Sequence, residues 1–551
     1  MDILNGSTLI EALTVAGYYL KSNSKRIDDL NVFPVPDGDT GSNMSSTYIS
    51  GLKNLKKLEE NPTISDVMKA FSDGLLYGAR GNSGVILSQF FAGINSHASG
   101  IETTTPEDVK KALQIGRTFA YKAVLVPVEG TILTVINDAA VAIADKHFDT
   151  FSELTSVYRR AVQVSLENTP NLLPVLKEAG VVDSGAAGLV EIINGIFAYY
   201  AGERHSIDEV AEVKGTQSKG IVDYMEYDFY ALNTYGYCTE FTLRLDPNSN
   251  FDKEAFISKF EDFGNSIVVV QNGEIVKAHI HTKHPGEVFN FAQKYGALCA
   301  VKAENMAIQT EENSSLAAGK VKKELTESEV TTREPYAIIS VVNGAGLKEV
   351  FTGLGTKYII EGGQTMNPST GEFVDAINNV NADDIYIIPN NKNVFLSASQ
   401  AKALVNDKRV VVIPAKTIPQ GYAALMAFDG TQSIDDNMTQ IKAKIKTISS
   451  GEVTYSTRNT VSSGLEIKKG DFIAILDNQI INSKKKRLDS VKDLLVNMIT
   501  NETSMLTIFY GEDVAESEIA QLQEYISKTF NVEPSIIPGG QKVYSYIIEA
   551  E

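Results

Sequence analysis

The sequence predicts a multidomain protein with an all-α N-terminal block, an α+β middle block and an α/β C-terminal block. Its 551 residues suffice for about three domains of ordinary size. Amphipathic helical segments fill residues 1–202, strands with period-2 alternation occur in 223–315, and short apolar strands followed by loops and helices recur in 336–551. Polar stretches at 202–222 and 319–335 are predicted linkers between these blocks.

Composition excludes several classes of function. The net charge of −19 argues against nucleic acid or an anionic membrane as a partner, because both require a basic surface. Two cysteines form no disulfide framework and favour a reducing, cytoplasmic location. No apolar run approaches the ~20 residues that span a bilayer. Instead of a signal peptide, Thr8 and Glu11 predict a capping box that opens a helix reaching about Leu20.

The first and third blocks have different architectures. Segments such as "DVMKAFSDGLLYGARGNSGVILSQFFAGI" have apolar residues at helical spacing, and burying their apolar faces requires a helical bundle. In the third block, "YAIISVV", "KYII", "IYII" and "RVVVI" each precede a polar or glycine-rich loop and a helix. That order predicts a parallel sheet with its ligand-binding loops at the carboxyl ends of the strands.

The turn "NVFPVPDGDTGSN" at positions 31–43 holds the most informative carboxylates. Asp37 and Asp39 are separated only by Gly38, and two such close carboxylates favour a cation between them. The spacing does not fit a calcium EF-hand, whereas Mg²⁺ accepts a few carboxylates and a further oxygen donor such as Asn31. The alternative is an aspartate-rich surface turn that caps a helix. The start of the next helix supplies candidate phosphate-binding residues: Thr40, Gly41, Ser42 and Asn43.

A second glycine-rich turn, "GARGNSG" at 78–84, lies between two apolar helical runs. Its backbone N–H groups and small polar side chains predict a phosphate cradle, although a simple helix-breaking turn would have the same composition. The chain contains no GxxxxGK[ST] motif, so any nucleotide site here is not a P-loop. The candidate residues at this turn and at later helix starts are Gly81, Asn82, Ser83, Gly84, Thr131, Asp183 and Ser184.

Four motifs in order, "NVFPVPDGDTGSNM", "GLLYGARGNSGVILSQ", "KAVLVPVEGTILTV" and "VVDSGAAGL", resemble the nucleotide-binding domain of dihydroxyacetone-kinase-type proteins. With the later blocks, the whole chain resembles the family of bacterial fatty acid kinase catalytic subunits. The resemblance implies an α-helical barrel in which acidic residues hold two Mg²⁺ ions on the phosphates of ATP. Asp37 and Asp39 match the catalytic, metal-binding aspartates. The related sugar kinases carry a third aspartate upstream, where the nearest residue here is Asn31.

The same resemblance implies the reaction and its partner. A separate fatty-acid-binding protein would present a fatty acid, the kinase would phosphorylate its carboxylate, and the acyl phosphate would enter phospholipid synthesis. Because the substrate arrives on a partner, we also expect self-association as a homodimer. Two alternatives remain open: a dihydroxyacetone-type kinase of small hydroxyl compounds, and a nucleotide sensor or scaffold without turnover.

The middle block contains a candidate soft-metal site. His279 and His281 lie two apart in "HIHTKH", and Cys238 and Glu240 lie two apart in "GYCTEF", so each pair shares a face of its strand. If the two strands pair, the four residues form a ligand set suited to Zn²⁺. The alternative is a polar strand face with one core cysteine.

Loops of the third block are rich in amides and hydroxyl groups, which ordinary βα loops would also contain. The resemblance implies that this region docks the fatty-acid-binding partner and has a fold similar to that partner's. The candidate docking residues are Asn390, Asn391, Lys392 and Arg458.

Overall fold

The computed structural model describes residues 3–31, 38–124, 126–212, 237–246, 249, 251–260, 262–272, 275–305, 333–363, 367–462 and 464–551. The chain divides into two compact units. The first combines Met1–Ser218 with Thr332–Glu551, and the second is Lys219–Thr331. Within the first unit, we call residues 1–212 the helical part and residues 333–551 the C-terminal part; the second is the middle unit.

The helical part confirms the expectation of an all-α N-terminal block. Its elements pack around one continuous apolar core that includes Met44, Tyr48, Phe71 and Phe90. The helices are α1 (Gly6–Ser22), α2 (Ser24–Asp28), α3 (Thr40–Leu55), α4 (Ile64–Gly78), α5 (Gly81–Ala98), α6 (Pro106–Lys122), α7 (Ile132–Ala144), α8 (Phe151–Leu172), α9 (Pro174–Ala179), α10 (Ser184–Tyr200) and α11 (Ile207–Glu212).

Side-chain caps set where several of these helices begin. The capping boxes that satisfy first-turn N–H groups are Thr63 with Asp66, Thr105 with Asp108, and Thr150 with Glu153. The box predicted at Thr8 and Glu11 is wrong. Asn5 is the cap of α1, and its side-chain oxygen accepts the Thr8 N–H at 2.9 Å, so Thr8 already lies inside the first turn.

Helix α11 falls inside the polar stretch predicted as a linker. Val210 on this helix is fully buried, and the His205 ring just before it stacks on Tyr18 with centroids 3.6 Å apart. The helical part therefore continues to residue 212, because a few apolar and aromatic side chains in a polar stretch suffice to hold it on α1. The remainder of this linker, from 213, and the second linker up to 332 lie outside the described residues.

The C-terminal part begins with the predicted parallel sheet, which is confirmed. Its strand order is β6-β5-β7-β8, and every neighbouring pair is parallel. The elements are β5 (Glu334–Val342), α14 (Ala345–Gly353), β6 (Tyr358–Glu361), α15 (Thr370–Asn379), β7 (Ala382–Ile388), α16 (Phe395–Leu404), β8 (Arg409–Val412), α17 (Ile418–Ala427) and α18 (Ile434–Thr447).

A second, six-stranded sheet completes the C-terminal part. Its order is β13-β12-β9-β16-β14-β15, with only the β14–β15 pair parallel, and β10 and β11 form a separate hairpin. The elements are β9 (Ser449–Tyr455), β10 (Thr460–Ser462), β11 (Leu465–Ile467), β12 (Phe472–Leu476), β13 (Gln479–Lys484), α19 (Arg487–Met498), β14 (Leu506–Tyr510), α20 (Glu516–Thr529), β15 (Pro534–Pro538) and β16 (Tyr546–Ala550).

The middle unit is α+β, as predicted. Four antiparallel strands in the order β2-β3-β1-β4 pack against two helices around the rings of Phe256, Phe260 and Phe291. The elements are β1 (Tyr237–Leu245), α12 (Lys253–Phe260), β2 (Gly264–Asn272), β3 (Ile275–Thr282), α13 (Pro285–Ala292) and β4 (Gly296–Asn305). Across the part of the chain that the structure describes, no helix has the length and hydropathy needed to cross a bilayer.

Candidate functional site

A cavity of about 560 Å³ lies inside the first unit, between the helical part and the C-terminal part. Most of the predicted site residues line it: Asn31, Asp39, Thr40, Asn43, Asn82, Ser83, Thr131, Asp183, Ser184, Asn390, Asn391 and Lys392. Gly41, Ser42, Gly81, Gly84 and Arg458 are not part of the lining. Asp37 lies outside the described residues.

Asp39 occupies the N-cap position of α3 at the cavity wall. Its carbonyl accepts the Asn43 N–H at 2.8 Å, and its carboxylate Oδ2 accepts the side-chain amide of Asn367 at 2.6 Å. The side chain of Asn31 is engaged in the same turn, since its Oδ1 accepts the Thr40 hydroxyl at 2.7 Å. The turn is therefore held from both sides, and Asp39 is oriented by a residue of the C-terminal part.

Asp28, the last residue of α2, contacts this turn and was not among the residues predicted from the sequence. Its carboxylate accepts both the N–H and the hydroxyl of Ser42, at 3.0 and 2.7 Å. Burial raises the pKa of Asp28, and the Ser42 bonds partly oppose that rise. A Cβ on Gly41 would stand 2.1 Å from the carbonyl of Ser24, so only glycine permits α3 to begin against α2. Gly41 and Ser42 thus anchor the turn in this structure.

The glycine-rich segment 78–84 was predicted as a turn, but its last four residues form the first turn of α5, and they bring that helix close to α3. Gly81 has φ +60°, and a Cβ there would lie 2.7 Å from the side-chain nitrogen of Asn43. The next residue, Asn82, lines the cavity, and no described residue donates a hydrogen bond to its buried Oδ1. A buried amide oxygen without a partner among the described residues, at a cavity wall, is suited to a polar ligand.

Two further helix starts face the same space. Thr131 caps α7, accepting the Leu133 N–H at 3.4 Å, and Asp183 caps α10, accepting the Ala186 N–H at 2.8 Å. Burial raises the pKa of Asp183 to about 6, although the side chain borders the cavity. The N-termini of α3, α5, α7 and α10 therefore converge, which is a favourable environment for phosphate groups.

Three of the four predicted docking residues, Asn390, Asn391 and Lys392, line the cavity from the C-terminal part, and the fourth, Arg458, does not. Asn390 has φ +57°, and its side-chain amide donates to the Val341 carbonyl at 2.9 Å, which holds the loop after β7 in place. The Lys392 ammonium donates to Asn478 Oδ1 at 3.5 Å. The Arg458 guanidinium donates to the carbonyls of Asp29 and Asn31, so it holds the aspartate turn. Docking of a partner by these residues stays a prediction.

Arg80 and its neighbours fasten the two parts together beside the cavity. The Arg80 guanidinium donates to the Asn367 carbonyl at 2.9 Å and lies 3.1 Å from the Glu372 carboxylate. The Tyr77 hydroxyl donates to Asp375 at 2.7 Å. Arg80 lies in the glycine-rich motif at 78–84, but this role was not predicted for it, and no local sequence pattern marks Asn367.

The structure tests the metal predictions only in part. Among the described side chains, no group of three or more His, Cys, Asp or Glu residues could hold a metal ion. The pairing of β1 with β3 does occur, and its register sets Cys238 opposite His281 and Glu240 opposite His279. Residues opposite each other and two apart share a sheet face, but these four side chains lie outside the described ones. Zinc stays a prediction.

Comparison with known sequences identifies related proteins. Family models match in three segments: the DAK2 domain over residues 34–198, the middle domain of FakA-like fatty acid kinase proteins over 234–313, and the C-terminal domain of the same proteins over 337–551. Protein YloV of Bacillus subtilis is 41% identical over 557 residues, with 100% of this chain and 99% of the relative covered. Uncharacterized protein SERP0792 of Staphylococcus epidermidis is 39% identical over 559 residues, with the same coverage.

Solved structures resemble single parts of the chain. The DegV family protein Cg2579 from Corynebacterium glutamicum aligns with a TM-score of 0.31 and 14% identity, covering 39% of this chain and 96% of its own. The dihydroxyacetone kinase from C. freundii in complex with AMP-PNP and Mg²⁺ aligns with a TM-score of 0.27 and 17% identity, covering 34% and 33%. At these scores, the likeness supports no conclusion about function.

Proposed function

Because the chain belongs to the FakA-like fatty acid kinase family, we propose that it is an ATP-dependent kinase that phosphorylates a fatty acid. The acid would be carried by a separate fatty-acid-binding protein, and the product would be an acyl phosphate for phospholipid synthesis. The carrying observation is the cavity itself, which is lined by residues at the starts of four helices and by Asp39. Helix N-termini favour anions and a carboxylate favours a metal ion, which is the combination that a metal–nucleotide complex requires.

The residues at the cavity fit ATP and two Mg²⁺ ions. Asp39, together with Asp37 and the oxygen of Asn31, would hold the metal ions, which neutralise charge on the transferred phosphoryl group when bound. The Asn367 amide keeps the Asp39 carboxylate oriented toward that role through its bond to Oδ2. The N-termini of α7 and α10 offer N–H groups to the phosphates, whereas the buried Asn82 Oδ1 accepts and is suited to a metal ion or to a donor group of the ligand.

The chemistry requires little more from the protein than positioning. A fatty acid carboxylate is ionised at neutral pH, so it can attack the γ-phosphorus without a general base. The bond from the γ-phosphorus to the β–γ bridging oxygen breaks as the new bond to the carboxylate oxygen forms, and ADP leaves. Phosphoryl transfer of this kind depends mainly on alignment and charge stabilisation.

Three further proposals accompany this function. The protein acts in the cytoplasm, self-associates as a homodimer, and binds Zn²⁺ through Cys238, Glu240, His279 and His281. The direct pairing of β1 with β3, which sets Cys238 opposite His281 and Glu240 opposite His279, supports the zinc proposal. A zinc ion there, if bound, would cross-link two strands of the middle unit.

The test measures phosphoryl transfer from labelled ATP with Mg²⁺ and oleate, with and without a fatty-acid-binding partner protein. Wild type is compared with Asp39→Ala and with the control Asp73→Ala, which removes an exposed carboxylate of α4. We expect partner-dependent acyl phosphate in wild type and the control, and a loss of about 100-fold or more in Asp39→Ala.

Three results would contradict the proposal or a part of it. Transfer to free dihydroxyacetone without a partner would favour the small-hydroxyl kinase, a reaction compatible with the DAK2 domain match. ATP binding without transfer to either acceptor would favour a nucleotide sensor. Equal activity of Asp39→Ala and Asp73→Ala would show that the reaction does not depend on Asp39.

A further inference from the structure

The cations that line the nucleotide cavity come from the C-terminal part. The described lining residues of the helical part include the carboxylates of Asp39 and Asp183 but no lysine or arginine. The C-terminal part contributes Lys392 and Lys416 to the lining, together with the carboxylate of Glu452. A triphosphate is strongly anionic, so positive side chains in its cavity are worth more than the same charges on an open surface.

The main chain of each lysine is held in place by the fold. Lys392 follows β7 and Lys416 follows β8, and these neighbouring parallel strands end at the same sheet edge. The Lys416 N–H donates to Gln420 Oε1 at 2.8 Å, while Asn390 fixes the loop that leads to Lys392. The side chains themselves are exposed and have the reach of a four-carbon stem.

Contacts of other residues show that the C-terminal part packs against the helical part beside the cavity. Asn367 is only 2% exposed and bonds Asp39. The Ser397 hydroxyl donates to the Ala79 carbonyl at 3.4 Å, and the Gln400 amide donates to the Leu76 carbonyl at 3.2 Å. The two exposed lysines therefore line a cavity whose C-terminal wall is held on the helical part by these contacts, one of which is to the carboxylate proposed to bind metal.

We propose that Lys392 and Lys416 bind the phosphate groups of the nucleotide, so that the helical part and the C-terminal part share phosphate recognition. The inference rests on the proposed function for the identity of the nucleotide. It differs from the partner-docking role predicted for Lys392, and it makes the C-terminal part a component of the nucleotide site.

The test is equilibrium binding to the full-length protein with Mg²⁺ by titration calorimetry. The probes are a non-hydrolysable ATP analogue and adenosine, which lacks phosphate. Wild type is compared with the double variant Lys392→Ala/Lys416→Ala and with Lys402→Ala/Lys442→Ala, which removes two exposed lysines of α16 and α18 outside the cavity lining. The control variant should bind both probes like wild type.

We expect the affinity of the double variant for the ATP analogue to fall about tenfold or more, because each lysine makes a charge-assisted contact. Adenosine affinity should stay within about twofold, and the Lys392→Arg/Lys416→Arg variant should recover most of the loss, since arginine keeps the charge. The ATP affinity of wild type should also depend more steeply on salt than that of the double variant.

Three outcomes would overturn the inference. Unchanged affinity of the double variant for the ATP analogue would remove it while leaving the proposed function intact. An equal loss for adenosine would show that the lysines support the cavity and do not recognise phosphate. Failure of wild type to bind the ATP analogue would remove the proposed function and this inference together.

Discussion

Glu549 provides the sharpest test of the energetics of the C-terminal part. It lies on the central strand β16, it is only 1% exposed, and no described residue donates to its Oε2. Burial raises the pKa of Glu549 to about 7; a hydrogen bond from Thr507 and the positive charge of Lys444 lower it, and the nearby Glu551 raises it. Its carboxyl group is consequently protonated in the folded protein under mildly acidic conditions.

The shift converts into a pH dependence of stability with a definite sign. The pKa is near 4.5 in the unfolded chain and about 7 in the folded protein, so folding retains a proton that unfolding releases between these values. The stabilisation is complete below about pH 4.5 and is lost as the pH rises through 7. At 1.36 kcal/mol per pKa unit, the whole loss is about 3 kcal/mol.

The perturbation is Glu549→Gln, which keeps the shape and removes the titration. Urea unfolding of wild type and variant is followed by circular dichroism from pH 5 to pH 8. The difference in unfolding free energy should shift by about 2.5 kcal/mol in favour of the variant over this range, which covers most of the titration. Burying the new amide changes the unfolding free energy of the variant by the same amount at every pH, so it does not affect the predicted pH dependence.

A matched control is Glu533→Gln, an exposed glutamate beside β15. Its difference from wild type should be nearly constant with pH. If the Glu549→Gln difference is also constant between pH 5 and pH 8, the carboxyl group does not titrate as burial requires, and the reasoning is refuted.

Two other predictions concern the proposed metal sites. Asn367→Ala should raise the Mg²⁺ concentration needed for half-maximal activity about tenfold, because Asp39 loses the amide that orients it. The control is Asn378→Ala, at an exposed position of α15. An unchanged Mg²⁺ requirement in Asn367→Ala would contradict the orienting role of Asn367. Purified wild type should contain stoichiometric zinc by elemental analysis, and His281→Ala should lose most of it. If wild type prepared in the absence of chelators contains no zinc, the zinc prediction is wrong.

The features that could be predicted from the sequence are those with a local signature. Alternating and helical periodicities identified the all-α, α+β and α/β blocks, and continuous apolar strands identified the parallel sheet. The candidate phosphate-binding residues Asn82, Ser83 and Thr131 were recognisable because small polar residues at a helix start are themselves the signal. Resemblance to a known family added the reaction that we propose for this site.

The features that could not be predicted depend on contacts between distant segments. Asn367 bonds Asp39 across 328 positions, and no periodicity or spacing encodes such a pair. The loop after β7 lines the cavity, a position that its amide-rich composition alone did not predict, and docking of a partner by this loop stays a prediction. The predicted start of α1 at Thr8 was wrong because Asn5, three residues earlier, caps the first-turn N–H groups.

The arrangement of the first unit has a consequence for the order in which the protein is assembled during synthesis. Arg458 reaches Asn31 across 427 positions, and the segment of the middle unit emerges from the ribosome between the two walls of the cavity. The helical part has its own apolar core and can fold early, whereas closing such long loops is slow and late. In a nascent chain the helical part would thus fold with only its own side of the cavity formed. The cavity would be completed only after the C-terminal part had been translated.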